Sequence, residues 1–290
     1  MDGALEEKLQ RLRRVVASYA SALVAYSGGV DSTLLALVAR QELGERMKAV
    51  VVDSPLLPPR ELERALRIAA SLGMPLAAVE ADELSLPGFD RNPPDRCYLC
   101  KGYRLGILRD LAAREGWEMV LEGSNLDDAG THRPGRRATR EAGAASPLEE
   151  AGLTKSDVRA LARELGLPNW DAPSRPCLAT RFPYRTELRR ELMAAVDAAE
   201  AELEGMGARE LRVRTDAPGE ARIELGAEDT AVLDVKDNRD RLVKKLQALG
   251  FRRITLDLEG FRSGSMDESH AHGNCEVLYD GDNGTGTTGG

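Results

Sequence analysis

Ser27-Gly28-Gly29-Val30-Asp31-Ser32 lies between a short apolar run at 22–26 (ALVAY) and a segment of helical spacing at 32–43. A strand that turns on glycines into a helix N-terminus is an anion site. Backbone N–H groups and the positive helix end face the ligand, and paired glycines let the chain approach it closely. Ser27 and Ser32 add hydroxyl donors. Asp31 alone would repel a phosphate, so a bound Mg²⁺ is the reason to place a carboxylate there. No Gly-Lys-Ser/Thr follows, so this is not a Walker A loop. The competing reading of these residues is a plain Gly-Gly turn capped by Ser or Asp.

Outward from the loop the pattern alternates. Residues 4–20 have helical spacing, 48–53 (KAVVVD) predicts a second strand, and 59–72 a helix. A strand at 75–80, a helix at 98–114, a strand at 118–122 and a helix at 153–166 with Thr154 as N-cap follow. Short apolar strands alternating with helices predict an α/β fold with a parallel sheet covered on both faces. Residues 168–185 are rich in Pro and Arg and predict a loop. Beyond them come a helix at 187–204, strands at 210–214 and 221–225, a helix at 229–249 and a strand at 253–258. This predicts a smaller α+β unit with a mixed or antiparallel sheet. The expected division is 1–185, 186–268, and a Gly-, Asp- and Thr-rich disordered tail at 269–290.

The 290 residues carry a net charge of −8, which argues against a broad nucleic-acid surface. A local basic groove at Arg133, Arg136, Arg137 and Arg140 stays open. No apolar run approaches the ~20 residues of a membrane span, and MDGALEEKLQRLRR has no apolar leader. The expected compartment is the cytosol, where the four cysteines serve as ligands, nucleophiles or core residues rather than disulfides.

Asp53 and Ser54, ending the second strand, are placed near an adenosine or in a simple strand-end turn. Gly123-Ser124-Asn125-Leu126-Asp127-Asp128 and Arg133-Pro134-Gly135 suit metal and phosphate recognition or an Asx-rich turn, with Gly123 and Asp127 as candidates. Lys155, at a helix start, reaches a phosphate or water. Cys97-Tyr98-Leu99-Cys100 places two thiolates within reach of one metal centre; half a zinc ribbon and a redox pair are the alternatives. Cys177 lies between Arg175 and Arg181, which would lower its pKa. Cys275 falls in the tail. Arg212 and Arg214 share a strand face, which on residues alone reads as solvated.

The loop hexapeptide matches the SGGxDS signature of the PP-loop ATP pyrophosphatase superfamily, of adenine nucleotide alpha hydrolase-like fold. With Gly-Ser-Asn-Leu-Asp-Asp, Arg-Pro-Gly and Pro176-Cys177-Leu178-Ala179-Thr180-Arg181, the chain resembles the LarE family of ATP-dependent sulfur transferases over about residues 5–268. Leu211-Arg212-Val213-Arg214, Ala221-Arg222-Ile223-Glu224 and the 258–266 segment are similar to it as well. The resemblance implies that ATP is cleaved between its α and β phosphates. AMP is carried to the carboxylates of pyridinium-3,5-biscarboxylic acid mononucleotide, and each becomes a thiocarboxylate. It implies that Ser27, Gly28, Gly29, Asp31 and Ser32 hold pyrophosphate and Mg²⁺, that Arg212 and Arg214 grip the substrate phosphate, and that Glu200 and Glu224 are acidic site positions. Two sulfur sources remain open. Either Cys177 is consumed, or Cys97, Cys100 and Cys177 hold a [4Fe-4S] cluster whose fourth iron binds sulfide from inorganic sulfide or a donor protein. A homo-oligomer is expected. The rivals are a tRNA thiolation enzyme of the same superfamily, a glutamine-dependent amidotransferase and a nucleotide-sensing module.

Overall fold

Runs of apolar residues too short for buried helices set up a central sheet. In the computed structural model, residues 2–129 and 134–262 are described. Thr131, His132, Arg133, the 263–266 stretch, the expected tail and Cys275 lie outside the described residues. The first part runs α1 (Gly3–Ala17), β1 (Ala22–Tyr26), α2 (Val30–Leu43), β2 (Met47–Asp53), α3 (Pro59–Ser71), β3 (Leu76–Glu80), α4 (Arg96–Glu115) and β4 (Met119–Leu121). Then come α5 (Pro134–Glu141), α6 (Pro147–Glu150) and α7 (Lys155–Glu164). The four strands are parallel in the order β3-β2-β1-β4. β1 and β2 are central, and helices cover both faces, so their side chains are apolar without alternation. Leu34, Leu35 and Val38 of α2 pack with Val24, Val51 and Leu121 in one core. Leu23, Val50, Leu105 and Leu108 fill the opposite face. The order changes direction beside β1, so its carboxyl end opens a crevice at Ser27.

The chain continues through α8 (Arg190–Gly205), β5 (Leu211–Arg214), β6 (Glu220–Leu225), α9 (Lys236–Ala248) and β7 (Arg253–Leu256). β5 and β6 are antiparallel, and β6 and β7 are parallel, giving the mixed second sheet. Its core joins Val196, Val213 and Phe251 to Leu56, Phe89, Leu178 and Phe182 from earlier in the chain. That shared packing holds the Cys177 turn against the segment after β2, where the Leu178 N–H donates to the Leu56 carbonyl at 3.0 Å. No helix among the described residues is long and apolar enough to cross a membrane.

Three features depart from the expectations. The Arg-Pro-Gly segment is not only a turn: Pro134 opens α5, where a missing N–H costs nothing. A further short helix, α6, opens on Pro147. The helix expected over 229–249 is split into a 3-10 turn, Asp229–Leu233, and α9, because Val235 is extended before Lys236.

Candidate active site

Gly29 is the N-cap of α2 and brings no side chain to cap it, so the first-turn N–H groups face outward. Gly28 turns at φ 75°, and a Cβ there would lie 2.7 Å from the Ala65 Cβ. Helix α3 therefore packs directly on the loop. Gly123, after β4, also comes close: a Cβ would lie 3.1 Å from the Ser32 nitrogen. The Ser32 hydroxyl donates to the Gly29 carbonyl at 3.0 Å and accepts from the Ser27 N–H at 3.2 Å. The Asn169 amide donates to the Gly28 carbonyl at 2.8 Å and to the Thr33 hydroxyl at 3.0 Å. The loop is thus fixed by its own hydroxyls and by one side chain far along the chain. Nothing in the sequence singles out Asn169, which sits in a Pro-rich loop without a recognisable signal.

Charges converge on this loop. Asp31 accepts from Lys155 Nζ and, at 3.0 Å, from the Asn125 amide. Asp127 accepts from the Lys155 backbone N–H at 2.8 Å, which sets the start of α7 beside the loop, with Thr154 as N-cap. Lys101 pairs with Glu122 at 2.9 Å. Two cations and several carboxylates therefore border the helix N-terminus, which suits a Mg²⁺-bound polyphosphate. Asp31 is the loop's own carboxylate and the candidate to hold that metal. A cavity of about 420 Å³ extends from Ser27, Asp31 and Gly123 over Val50 and Leu105 to Cys97 and Cys100. Its apolar floor suits an adenosine. Asp53 and Ser54 do not line it. They line a larger open cavity of about 730 Å³ with Tyr103 and Met193.

Cys97 and Cys100 stand one turn apart at the start of α4. Cys177 precedes a 3-10 turn, Leu178–Arg181, and lines a cavity of about 310 Å³ with Gly28 and Gly29. The Asn92 amide bridges the segments by donating to the carbonyls of Ala179, Phe182 and Pro183, at 3.3, 3.0 and 2.9 Å. Burial pushes the Cys100 thiol up to about 12; Arg104 opposes this, and Cys177, Glu83 and Cys97 add to it. Both other thiols are therefore within electrostatic reach of Cys100. No trio of His, Cys, Asp or Glu among the described residues converges on one metal ion. A four-iron cube takes each thiolate on a different iron, so its ligands need not converge. Three thiols outside disulfides, from two segments held together, fit such a cluster.

Arg175 and Arg181, expected to act on Cys177, are matched by carboxylates. Arg175 reaches Glu61 at 3.0 Å and also Glu204, while Arg181 holds both oxygens of Glu200 at 2.9 Å. Arg181 also donates to the Cys177 carbonyl at 3.2 Å, so it braces the turn.

Arg212 and Arg214 are buried, and the solvated reading of their strand fails. Arg214 donates to Glu224 at 2.5 Å. Glu200 also receives Arg60 at 3.1 Å and the Val213 N–H at 3.0 Å. Both carboxylates are thus engaged by arginines. Arg212 differs, having no carboxylate partner among the described residues. It donates to the carbonyls of Leu211 and Ser174, at 2.6 and 2.9 Å, and lies 4.8 Å from the centre of the Phe261 ring. Burial, then the neighbouring Arg181, lowers its pKa to about 10. A buried guanidinium in this state calls for an anion.

Residues 4–87 match the NAD synthase family. The chain is 42% identical to the pyridinium-3,5-bisthiocarboxylic acid mononucleotide synthase of Lactiplantibacillus plantarum, over 85% of this chain and 88% of that one. The chain belongs to the LarE family. It is 41% identical to an uncharacterised protein of Synechocystis, over 91% of this chain and 98% of the relative. A glutamine-hydrolysing GMP synthase of Aeropyrum pernix is 30% identical over 65% of this chain and 41% of its own length. As a LarE-family protein with a PP-loop fold, the chain is an ATP-dependent sulfur transferase.

Proposed function

We propose that this chain uses MgATP to adenylate the carboxylates of pyridinium-3,5-biscarboxylic acid mononucleotide and converts each to a thiocarboxylate. In this reading Cys97, Cys100 and Cys177 hold a [4Fe-4S] cluster. The observation that carries the reading is the placement of nucleotide loop and thiols on the same two cavities. One runs from Ser27 and Asp31 to Cys97 and Cys100, and the other from Gly28 and Gly29 to Cys177. The acceptor's name comes from the Lactiplantibacillus relative.

The residues divide the work. The uncapped N–H groups of α2, with Ser27 and Ser32, hold the β and γ phosphates. Asp31 holds Mg²⁺, and Lys155 moves from Asp31 to a phosphate oxygen. Arg212, assisted by Arg214, grips the acceptor's own phosphate from the second sheet, so residues 1–185 bind ATP and 186–268 bind the acceptor. An acceptor carboxylate oxygen attacks the α phosphorus, the new O–P bond forms, and pyrophosphate leaves. Cys97, Cys100 and Cys177 would hold the cluster, which when bound would supply an iron open to sulfide. Hydrosulfide then attacks the acyl carbon. The C–S bond forms, the C–O bond to AMP breaks, and the S–H proton passes to water.

The test is protein purified without oxygen. Iron near four per chain, visible charge-transfer absorbance and an intact Cys177 after repeated turnover are expected. Iron-free protein that turns over once, with one sulfur lost from Cys177 by mass spectrometry, overturns the cluster and leaves a consumed cysteine.

A further inference from the structure

Arg104 stands where the adenosine cavity meets the cavity of Cys177, and it lines both. It lies one helical turn beyond Cys100 on α4. Two groups pin it from behind. Its Nε donates to Glu83 Oε1 at 2.5 Å, and its Nη2 donates to the Ser54 hydroxyl at 2.7 Å. The third nitrogen, Nη1, has no acceptor among the described residues. The Glu83 side chain is fully buried while that of Arg104 is 26% exposed. The carboxylate is thus sealed behind the guanidinium, and the cavities meet the positive edge of the pair. Glu83 Oε2 has no partner in its buried position. Such a carboxylate is costly unless its cation is held in place.

The surroundings explain the need for that cation. Asp31 and the ATP phosphates would face the same space as the three cysteines, and any incoming anion would be repelled from it. Lys155 and Lys101 stand at the phosphate end, already beside Asp31 and Glu122. Among the arginines near Cys177, Arg175 and Arg181 are turned to carboxylates on α3 and α8. Arg64 and Arg159 also line the Cys177 cavity, but of its lining arginines Arg104 alone among the described residues also lines the cavity of Cys97 and Cys100.

We propose that Arg104 is an anion-holding residue that gathers hydrosulfide beside Cys100 and Cys177, on the path to the site of sulfur transfer. The assignment of hydrosulfide rests on the sulfur-transfer reading above. Glu83 and Ser54 are positioning residues that aim the guanidinium.

The test compares two thiol reagents on the full chain stripped of iron. Iodoacetate is an anion and iodoacetamide is neutral, and both react with thiolate. Dividing their rates at Cys177 cancels the thiolate fraction and leaves the local potential, referenced to N-acetylcysteine. The wild-type ratio should exceed the reference. Arg104→Gln should lower it about three- to tenfold, and Arg104→Lys should retain most of it, an outcome that loss of packing alone would not produce. Should Arg104→Gln fail to fold because Glu83 is left unpaired, Glu83→Gln with Arg104→Gln removes both charges and gives the same readout. An unchanged ratio in a variant that melts like the wild type overturns the proposal. Thiocarboxylate formation by the iron-loaded wild type is measured separately. Its failure removes the sulfur-transfer reading and with it hydrosulfide as the ligand, whereas the labelling ratio alone decides the anion site.

Discussion

At Gly28 the chain turns at φ 75° with the Ala65 Cβ 2.7 Å from where a β carbon would sit. Alanine there is strained twice, by the left-handed backbone and by contact with α3. Gly28→Ala should cost about 1–3 kcal/mol in stability and lower pyrophosphate release at least tenfold, because the N–H groups move with the turn. Thermal melting and a pyrophosphate assay check this; wild-type values in both would mean that α3 yields at no cost. Arg212 poses a different question. Its guanidinium is buried, held by two carbonyls and an aromatic ring, and unmatched by a carboxylate among the described residues. If it grips the acceptor phosphate, Arg212→Ala should cost acceptor binding about 1.5–3 kcal/mol and ATP binding far less. Titration of each ligand into the variant decides it, and equal losses place Arg212 elsewhere.

Among the elements, the Asn92 clip sets the position of Cys177. Asn92 adopts φ 49°, a conformation asparagine tolerates better than alanine, and its amide serves three carbonyls of the turn after Cys177. Asn92→Ala should cost about 2–4 kcal/mol. Amide exchange should rise at 178–185 but not in β1 or β2, and iron retention should fall. Exchange that rises evenly across the chain would show a general loss of stability instead. This clip also marks where sequence reading stops. The strands and most helices are legible because apolar runs and helical spacing are local, and the loop at Ser27–Ser32 carries its chemistry within six residues. α5 is not legible: its sequence, PGRRATRE, opens on a turn-forming Pro-Gly and offers only Ala138 to a core. Nor are Asn92, Asn169 and Arg104, whose roles depend on partners far along the chain. The two strand arginines stand out only through the family motif, since their burial comes from α8 and the Cys177 turn, not from β5 itself.

For the molecule as a whole, the junction of the two cores adds ion pairs to the apolar packing of Leu56, Phe89 and Leu178. Arg60 on α3 and Arg181 in the turn both bind Glu200 on α8, whose side chain is 1% exposed. Burial alone would raise the Glu200 pKa, but Arg181 and the Val213 N–H outweigh it and hold it below the ordinary 4.5. A carboxylate depressed in the fold contributes stability that is fully present above its unfolded pKa and is lost as pH falls through the folded one. Asp197 works the opposite way: burial, opposed by Arg60 and helped by Glu200, raises its pKa above 3.8. Its protonation on acidification therefore favours the fold. Glu200→Gln should lower stability at pH 7 by about 3 kcal/mol, near the low end for breaking a buried pair because the amide still accepts one hydrogen bond. In a chain of this size that is roughly 6–12 °C in Tm. The gap between variant and wild type should persist down to about pH 4.5 and close below it, since the wild type then loses what the variant already lacks. Melting curves from pH 7 to pH 3 measure this. Two curves that stay parallel to the lowest pH would show that the Glu200 charge does not join the cores.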